Sequence, residues 1–265
     1  MFEPIDNQRY ADIAGQSFDQ EEVIPGPIIY GRTHVIAEKL HLIRSLGSCI
    51  LLTSFSDASL THEMMRQCPP NVVHWFSNNA MVDDQRVTNL PIGFRFSRDS
   101  QELCLALIRE GRRERKNLMY VNFMRQIPRI PNPREGLYEQ FAGLEWTTAK
   151  GGFAENYVEI GEFYQDIQSH DYVLSPPGAG IDCHRHWESI ALGSIPVVLR
   201  SPVTDILDDM PCLRVNDWSE VTRERLEAEL PELQKRFEWE SMQKLDMRYW
   251  RRRIEDEIAG LRDPS

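Results

Sequence analysis

Three side chains in the stretch SPPGAGIDCHRHWESIALGSIPVVL (residues 175–199) have the types and spacing to bind an anionic, hydroxyl-bearing ligand. A strand, DYVLS, runs into Pro176 and Pro177, which cannot continue a ladder, and Gly178 and Gly180 permit a close backbone approach. Asp182 then has the type of an N-cap for a helix starting at Cys183. Free N–H groups and a positive dipole end make such a helix start a site for phosphate. Arg185 in the first turn adds a two-pronged donor for phosphate oxygens. Glu188, three residues on and on the same face, can accept hydrogen bonds from ribose hydroxyls. The competing reading is a plain turn with a local Arg185–Glu188 ion pair. Zinc is not expected: Cys183, His184 and His186 are too close in sequence to converge on one ion, and no second ligand cluster appears. The pattern is not GxGxxG, so a dinucleotide is not implied.

The elements that would position these residues alternate along the chain. Short apolar runs at 28–30, 49–54, 72–77 and 86–93 read as strands, with helical spacing at 35–46 and 60–67 between them. The pattern repeats with strands at 117–123, 144–149, 171–175, 194–199 and 212–215. The helices there are at 97–113, 133–143 and 158–169, and from Trp218 the chain reads as helical. Strands alternating with helices predict parallel sheets, here two Rossmann-like domains facing a cleft. The expected division is a short N-terminal domain over 1–96, a second domain over 97–236, and a C-terminal segment over 237–265. Ligands of such folds sit beyond the carboxyl ends of the strands, which directs attention to TSFSD, FSNN, NFMRQIPR, TTAKGG and SPPGAG.

Composition narrows the partners. The chain has 265 residues, a net charge of −11 and 41% hydrophobic residues, ordinary for a globular protein and too acidic for a general nucleic-acid binder. Five dispersed cysteines without a CxxC suggest reduced thiols, and with no apolar leader near the start the expectation is a cytoplasmic protein. No apolar run approaches the ~18 residues of a transmembrane segment. The tail WRRRIEDEIAGLRDPS admits a peripheral membrane contact at its RRR, but EDE follows at once; a solvated helix returning across both domains fits better.

YVLSPPGAGIDCHRHWESIALGSIPVVLRS resembles the nucleotide-sugar segment of exostosin-like glycosyltransferases of the GT-B fold. Asp182, Arg185, Glu188, Gly193, Ile195, Pro196 and Val197 stand at the matching positions. NLMYVNFMRQIPRIPNPREGLYEQF is similar to the first strand and helix of that domain, with Asn122 and Arg134 at matching places. CILLTSFSD and NVVHWFSNNAMVDDQRVTNLPIGF resemble segments of its N-terminal half. The resemblance implies transfer of a sugar from a nucleotide-diphosphate sugar to a glycan hydroxyl, with Arg185 on the diphosphate and Glu188 on the ribose.

On that expectation, Asp57 is either the general base, giving inversion, or the cap of a helix near Ala58. His62 and His74 are alternative bases. Asn78, Asn79 and His74 are candidate acceptor or sugar contacts, with turn chemistry and strand packing as the competing roles. Arg125, Arg129 and Arg134 cluster after the strand ending in NF; Arg125 or Lys150 can offset the leaving diphosphate. No DxD is placed for a metal, so neither a metal nor another cofactor is expected. The alternatives are a non-catalytic nucleotide- or sugar-binding module of the same fold, and a dehydrogenase or methyltransferase, which would lack its Gly-rich first turn.

Overall fold

A computed structural model describes residues 3–17, 19, 21–127, 131–152 and 156–262. The elements run α1 (Arg9–Ala14), β1 (Ile28–Gly31), α2 (Thr33–Glu38), α3 (Leu40–Ile43), β2 (Cys49–Thr53), α4 (His62–Gln67), β3 (Val72–Ser77) and β4 (Val87–Asn89). They continue α5 (Arg98–Glu110), β5 (Asn117–Val121), α6 (Leu137–Ala142), β6 (Thr147–Ala149), α7 (Ile160–Gln168), β7 (His170–Leu174), α8 (His184–Ala191) and β8 (Ile195–Leu199). The last are β9 (Leu213–Val215), α9 (Arg223–Lys235), α10 (Trp239–Met242) and α11 (Met247–Arg262). The fold is mixed α/β with two parallel sheets, one of four strands and one of five. The chain divides into two compact units: residues 1–92, 201–206 and 243–265 form the first, and residues 93–200 and 207–242 the second. Among the described residues no helix is long and apolar enough to cross a membrane.

In the first unit the strand order is β1-β2-β3-β4. Crossovers of one hand that always step the same way place their helices on one face. Accordingly Ile36, Leu40, Ile43 and Met65 of α2, α3 and α4 share a core with Ile29, Leu51 and Trp75. The alternate strand residues Ile28, Tyr30, Ile50, Leu52 and Phe76 point the other way, since successive strand side chains change face. The chain ends cover them, through Ile5, Tyr10 and Ala11 near the start and Met247, Trp250 and Ile254 of α11. The last helix, expected to return across both domains, thus has its apolar side in this unit's core.

In the second unit the order is β6-β5-β7-β8-β9. The chain steps from β5 outward to β6, then returns past β5 to lay down β7, so the order reverses between β5 and β7. The reversal sends helices to both faces. Leu137 and Phe141 of α6 and Leu226 and Leu233 of α9 pack with Met119, Val121, Tyr172, Leu174, Ile195 and Val197. On the opposite face α7 packs on β7 and α8 on β8, with the Phe163 ring centroid 6.1 Å from that of Tyr120.

Candidate anion-binding site

A reversal of strand order leaves a crevice at the carboxyl ends of the two strands that part company. In the second unit a pocket of about 420 Å³ lies there, lined by residues that follow β5 (Asn122, Phe123), by Gly151 and Gly152 after β6, and by Arg134 and Arg185. Gly151 and Gly152 have φ of +70° and +92°, the left-handed region that glycine enters without strain. A Cβ on Gly151 would lie 2.7 Å from Asn122 Oδ1, and one on Gly152 3.1 Å from the Tyr138 ring. A side chain at either position would collide with Asn122 or crowd Tyr138 and Arg125.

After β7, Ser175 N–H makes a ladder bond to Val197 O at 2.9 Å. The prolines then end the strand, and Gly178 N–H donates to Gly180 O at 2.9 Å to form a tight turn. Neither glycine lines the pocket. Gly178 acts through Arg134: its missing Cβ would sit 3.2 Å from Arg134 Nη2. Arg134 ties two loops together, donating from Nε to Pro177 O at 2.7 Å and from Nη1 to Met124 O at 2.9 Å.

The expected cap is corrected by one residue. The helix begins at His184 and its N-cap is Cys183, with extended φ −131° and ψ 143°. Asp182 lies outside it, drawn off by side-chain donors. Its carboxylate accepts from Trp187 Nε1 at 2.9 and 3.0 Å and faces His186 Nδ1 at 3.0 Å, while His186 Nε2 faces Ser175 O at 3.2 Å. The acid therefore anchors the first turn of α8 rather than capping it.

Arg185, in that turn, is only 9% exposed. Its Nε and Nη1 are buried and have no hydrogen-bond partner. Burial, and then the charge of Arg134, push its pKa down to about 10, so it still carries its charge at neutral pH. The guanidinium carbons of Arg134 and Arg185 lie 5.6 and 5.9 Å from the Phe123 ring centroid, within cation–π range. Arg95 completes the cationic lining, and none of the described lining residues is acidic. A concave site lined by guanidinium groups, one of them buried with two unpartnered nitrogens, suits an anion with several oxygens.

Lys150 and Arg125, the other cations expected at the diphosphate, have carboxylate partners. Lys150 Nζ donates to Asp166 Oδ2 at 2.6 Å and Glu162 Oε1 at 2.7 Å, and Arg125 pairs with Glu139 and lies 5.6 Å from the Tyr138 ring. Both cations are taken by nearby carboxylates, and neither lines the pocket. Glu188 is fully buried and also absent from the lining. Its Oε1 accepts from Tyr164 OH at 2.7 Å and Arg95 N–H at 3.2 Å. Arg129 lies outside the described residues.

In the first unit the expected contacts bond to neighbouring groups of the fold. Asn78 Nδ2 donates to Leu90 O at 2.9 Å, and Asn79, at φ +55°, donates from Nδ2 to Ser56 O at 3.2 Å. Both are fully buried. His74 pairs with Thr88 Oγ1 at 2.9 Å and packs on Phe76, with ring centroids 4.6 Å apart. Their bonds brace the loops, while Asn78 Oδ1 has no hydrogen-bond partner. Asp57 is exposed in the turn after β2. No helix starts at Ala58 for it to cap: α4 begins at His62, and Thr61 Oγ1 caps it by accepting Met64 N–H at 3.3 Å.

The reading from sequence missed Arg95, and it placed Arg134 without giving it a role. Their one sequence signal was position, Arg95 just after the LPIG that closes the first half and Arg134 after the Pro-rich loop. No protein-family model matches the chain, and no curated protein matches it.

Proposed function

We propose that the second unit binds the diphosphate of a nucleotide sugar, and that the protein is a glycosyltransferase of the GT-B kind acting on a glycan hydroxyl. The observation that carries this reading is Arg185: a buried, charged guanidinium with two unpartnered nitrogens, lining a cationic pocket where the strand order reverses. A protein retains such an uncompensated group against its desolvation cost when a ligand completes it. The resemblance of residues 171–199 to exostosin-like enzymes supplies the ligand class. In the reaction the sugar C1–O bond to the diphosphate breaks, and the nucleoside diphosphate leaves with the electron pair. The acceptor oxygen forms the new bond to C1 and gives its proton to a base, for which Asp57 is the candidate. Arginines offset the leaving charge, so no metal is required on this reading.

A thermal-shift screen in EDTA against UDP, GDP, CMP, dTDP, ADP, NAD and S-adenosylmethionine tests it. One nucleoside diphosphate should raise the melting temperature, since a ligand at 100 times its Kd adds about 2.7 kcal/mol, and Arg185→Ala should abolish the shift. A shift with NAD or S-adenosylmethionine instead would overturn the reading. Binding without sugar transfer to any glycan would reduce it to a binding module.

A further inference from the structure

Arg95 lies near the start of the second unit and lines the pocket with 36% of its side chain exposed. Its guanidinium carbon is 4.9 Å from the centroid of the Phe163 ring and 5.9 Å from that of Tyr164. Glu188 holds it at two points. Oε1 accepts the Arg95 backbone N–H at 3.2 Å and lies 3.8 Å from Arg95 Nε. The same oxygen accepts the Tyr164 hydroxyl at 2.7 Å, which fixes the carboxylate. A cation set over an aromatic face and ion-paired to a buried carboxylate has little freedom to turn away.

Glu188 itself is fully buried and forms no part of the pocket lining. Its other oxygen, Oε2, is buried without a hydrogen-bond partner. The two oxygens therefore separate two roles: a sugar contact would use Oε2, whereas holding Arg95 uses Oε1. The contacts in place all fall on Oε1.

We infer that Glu188 is a positioning residue that holds Arg95, with Tyr164 fixing Glu188 in turn, and that Arg95 is the third cation meeting the ligand's phosphates beside Arg134 and Arg185. This rests on the diphosphate reading above. It departs from the ribose contact that the resemblance implies for Glu188, and inorganic pyrophosphate distinguishes the two because it has phosphates and no sugar.

Calorimetric Kd values for pyrophosphate, and for the nucleoside diphosphate that the screen selects, form the test. Arg95→Ala should weaken both probes by about tenfold or more, as the loss of a charged hydrogen bond does. Glu188→Gln should weaken both by one common factor, and the double variant should bind no more weakly than Arg95→Ala alone. If Glu188→Gln spares pyrophosphate and weakens only the nucleoside diphosphate, Glu188 is a sugar contact and the inference is overturned. Additive losses overturn it as well. Should Glu188→Gln fail to fold, Tyr164→Phe replaces it in the same cycle, with a loss of about threefold that vanishes once Arg95 is gone. A wild-type protein that binds neither probe, or binding untouched by Arg185→Ala, overturns the anion site itself. An Arg185 effect without an Arg95 effect overturns only the present inference.

Discussion

The strands of both sheets run out into polar loops, and each unit leaves some buried atoms without a hydrogen-bond partner, Arg32 Nε and Asn78 Oδ1 among those of the first. The units differ in how charge there is met, since Arg32 Nη2 lies 3.9 Å from Glu21 Oε1. In the first unit hydroxyls bond to one another: Thr53 Oγ1 accepts Trp75 Nε1 at 2.9 Å and donates to Ser77 Oγ at 2.8 Å, and Tyr30 OH pairs with Ser54 Oγ at 2.8 Å. In the second unit Arg185 lines a pocket, and its buried Nε and Nη1 have no hydrogen-bond partner. The strand order accounts for part of the contrast. The first sheet is laid down in sequence without a reversal, whereas the second reverses between β5 and β7, and only a reversal opens a crevice between diverging loops. A parallel sheet is thus not by itself a binding site. What marks the site is a reversal together with charge that the fold leaves unpaired.

The sharpest way to break this comparison is Arg185→Met. Methionine keeps an apolar stem of similar length and removes the buried charge. Affinity for the nucleoside diphosphate should fall by about 2–5 kcal/mol, the cost of truncating one partner of a buried charged contact. The unliganded protein should become more stable, with a melting temperature higher by about 2–4 °C if ~1 kcal/mol of desolvation cost is relieved. A melting temperature that falls instead would mean that the guanidinium serves the fold, and the contrast between the units would dissolve.

The complementary change is Thr53→Val in the first unit. Valine fills the same space but leaves the buried Trp75 indole N–H without an acceptor, at a cost of about 1–3 kcal/mol. Urea unfolding followed by tryptophan fluorescence should show this loss, while nucleoside diphosphate affinity stays at its wild-type value. An affinity that moved with Thr53 would assign the first unit's loops to the site.

What could be seen in the sequence follows the same division. The inner strands were legible because they are short apolar runs buried on both faces, as in the all-buried CILLT of β2, whereas the edge strands β4 and β6, VTN and TTA, are only half-buried. Helix α1 was not legible, since RYADIA is short and lacks a capping side chain; its place depends on a sheet face left bare by strands elsewhere in the chain. The single helix read over 35–46 is two, parted at Lys39. At the site, Arg185 stood out because strand, turn and helix follow each other within a few residues. Arg95 did not, because its partner Glu188 is 93 residues away. Lys150 looked like a phosphate ligand because two glycines follow it, and Arg125 because it sits in the loop after a strand. Lys150 owes its actual partners to helix α7, whose Glu162 and Asp166 bring two carboxylates to its ammonium group.

The smallest effect expected is one in which the two units should behave alike. Each sheet has a buried strand histidine, His74 in β3 and His170 in β7. Burial is the main cause that lowers both below the ordinary value of 6.5; the charge of Arg253 adds to it at His74, and those of Lys116 and Arg115 at His170. Glu257 and Asp84 oppose the shift at His74, and the Asp166 carbonyl and carboxylate oppose it at His170. Both rings are therefore neutral in the folded protein where the unfolded chain begins to take up protons. Stability from this source is complete above about pH 6.5 and is lost as the pH falls through the lowered folded values, because the unfolded state then binds more protons. Urea midpoints at about pH 7.5 and pH 5.5, either side of the unfolded value, should differ for the wild type, and His74→Gln and His170→Gln should each reduce that difference. If His170→Gln alone removed it, the acid sensitivity would belong to the second unit, and the contrast between the units would extend from their loops into their strands.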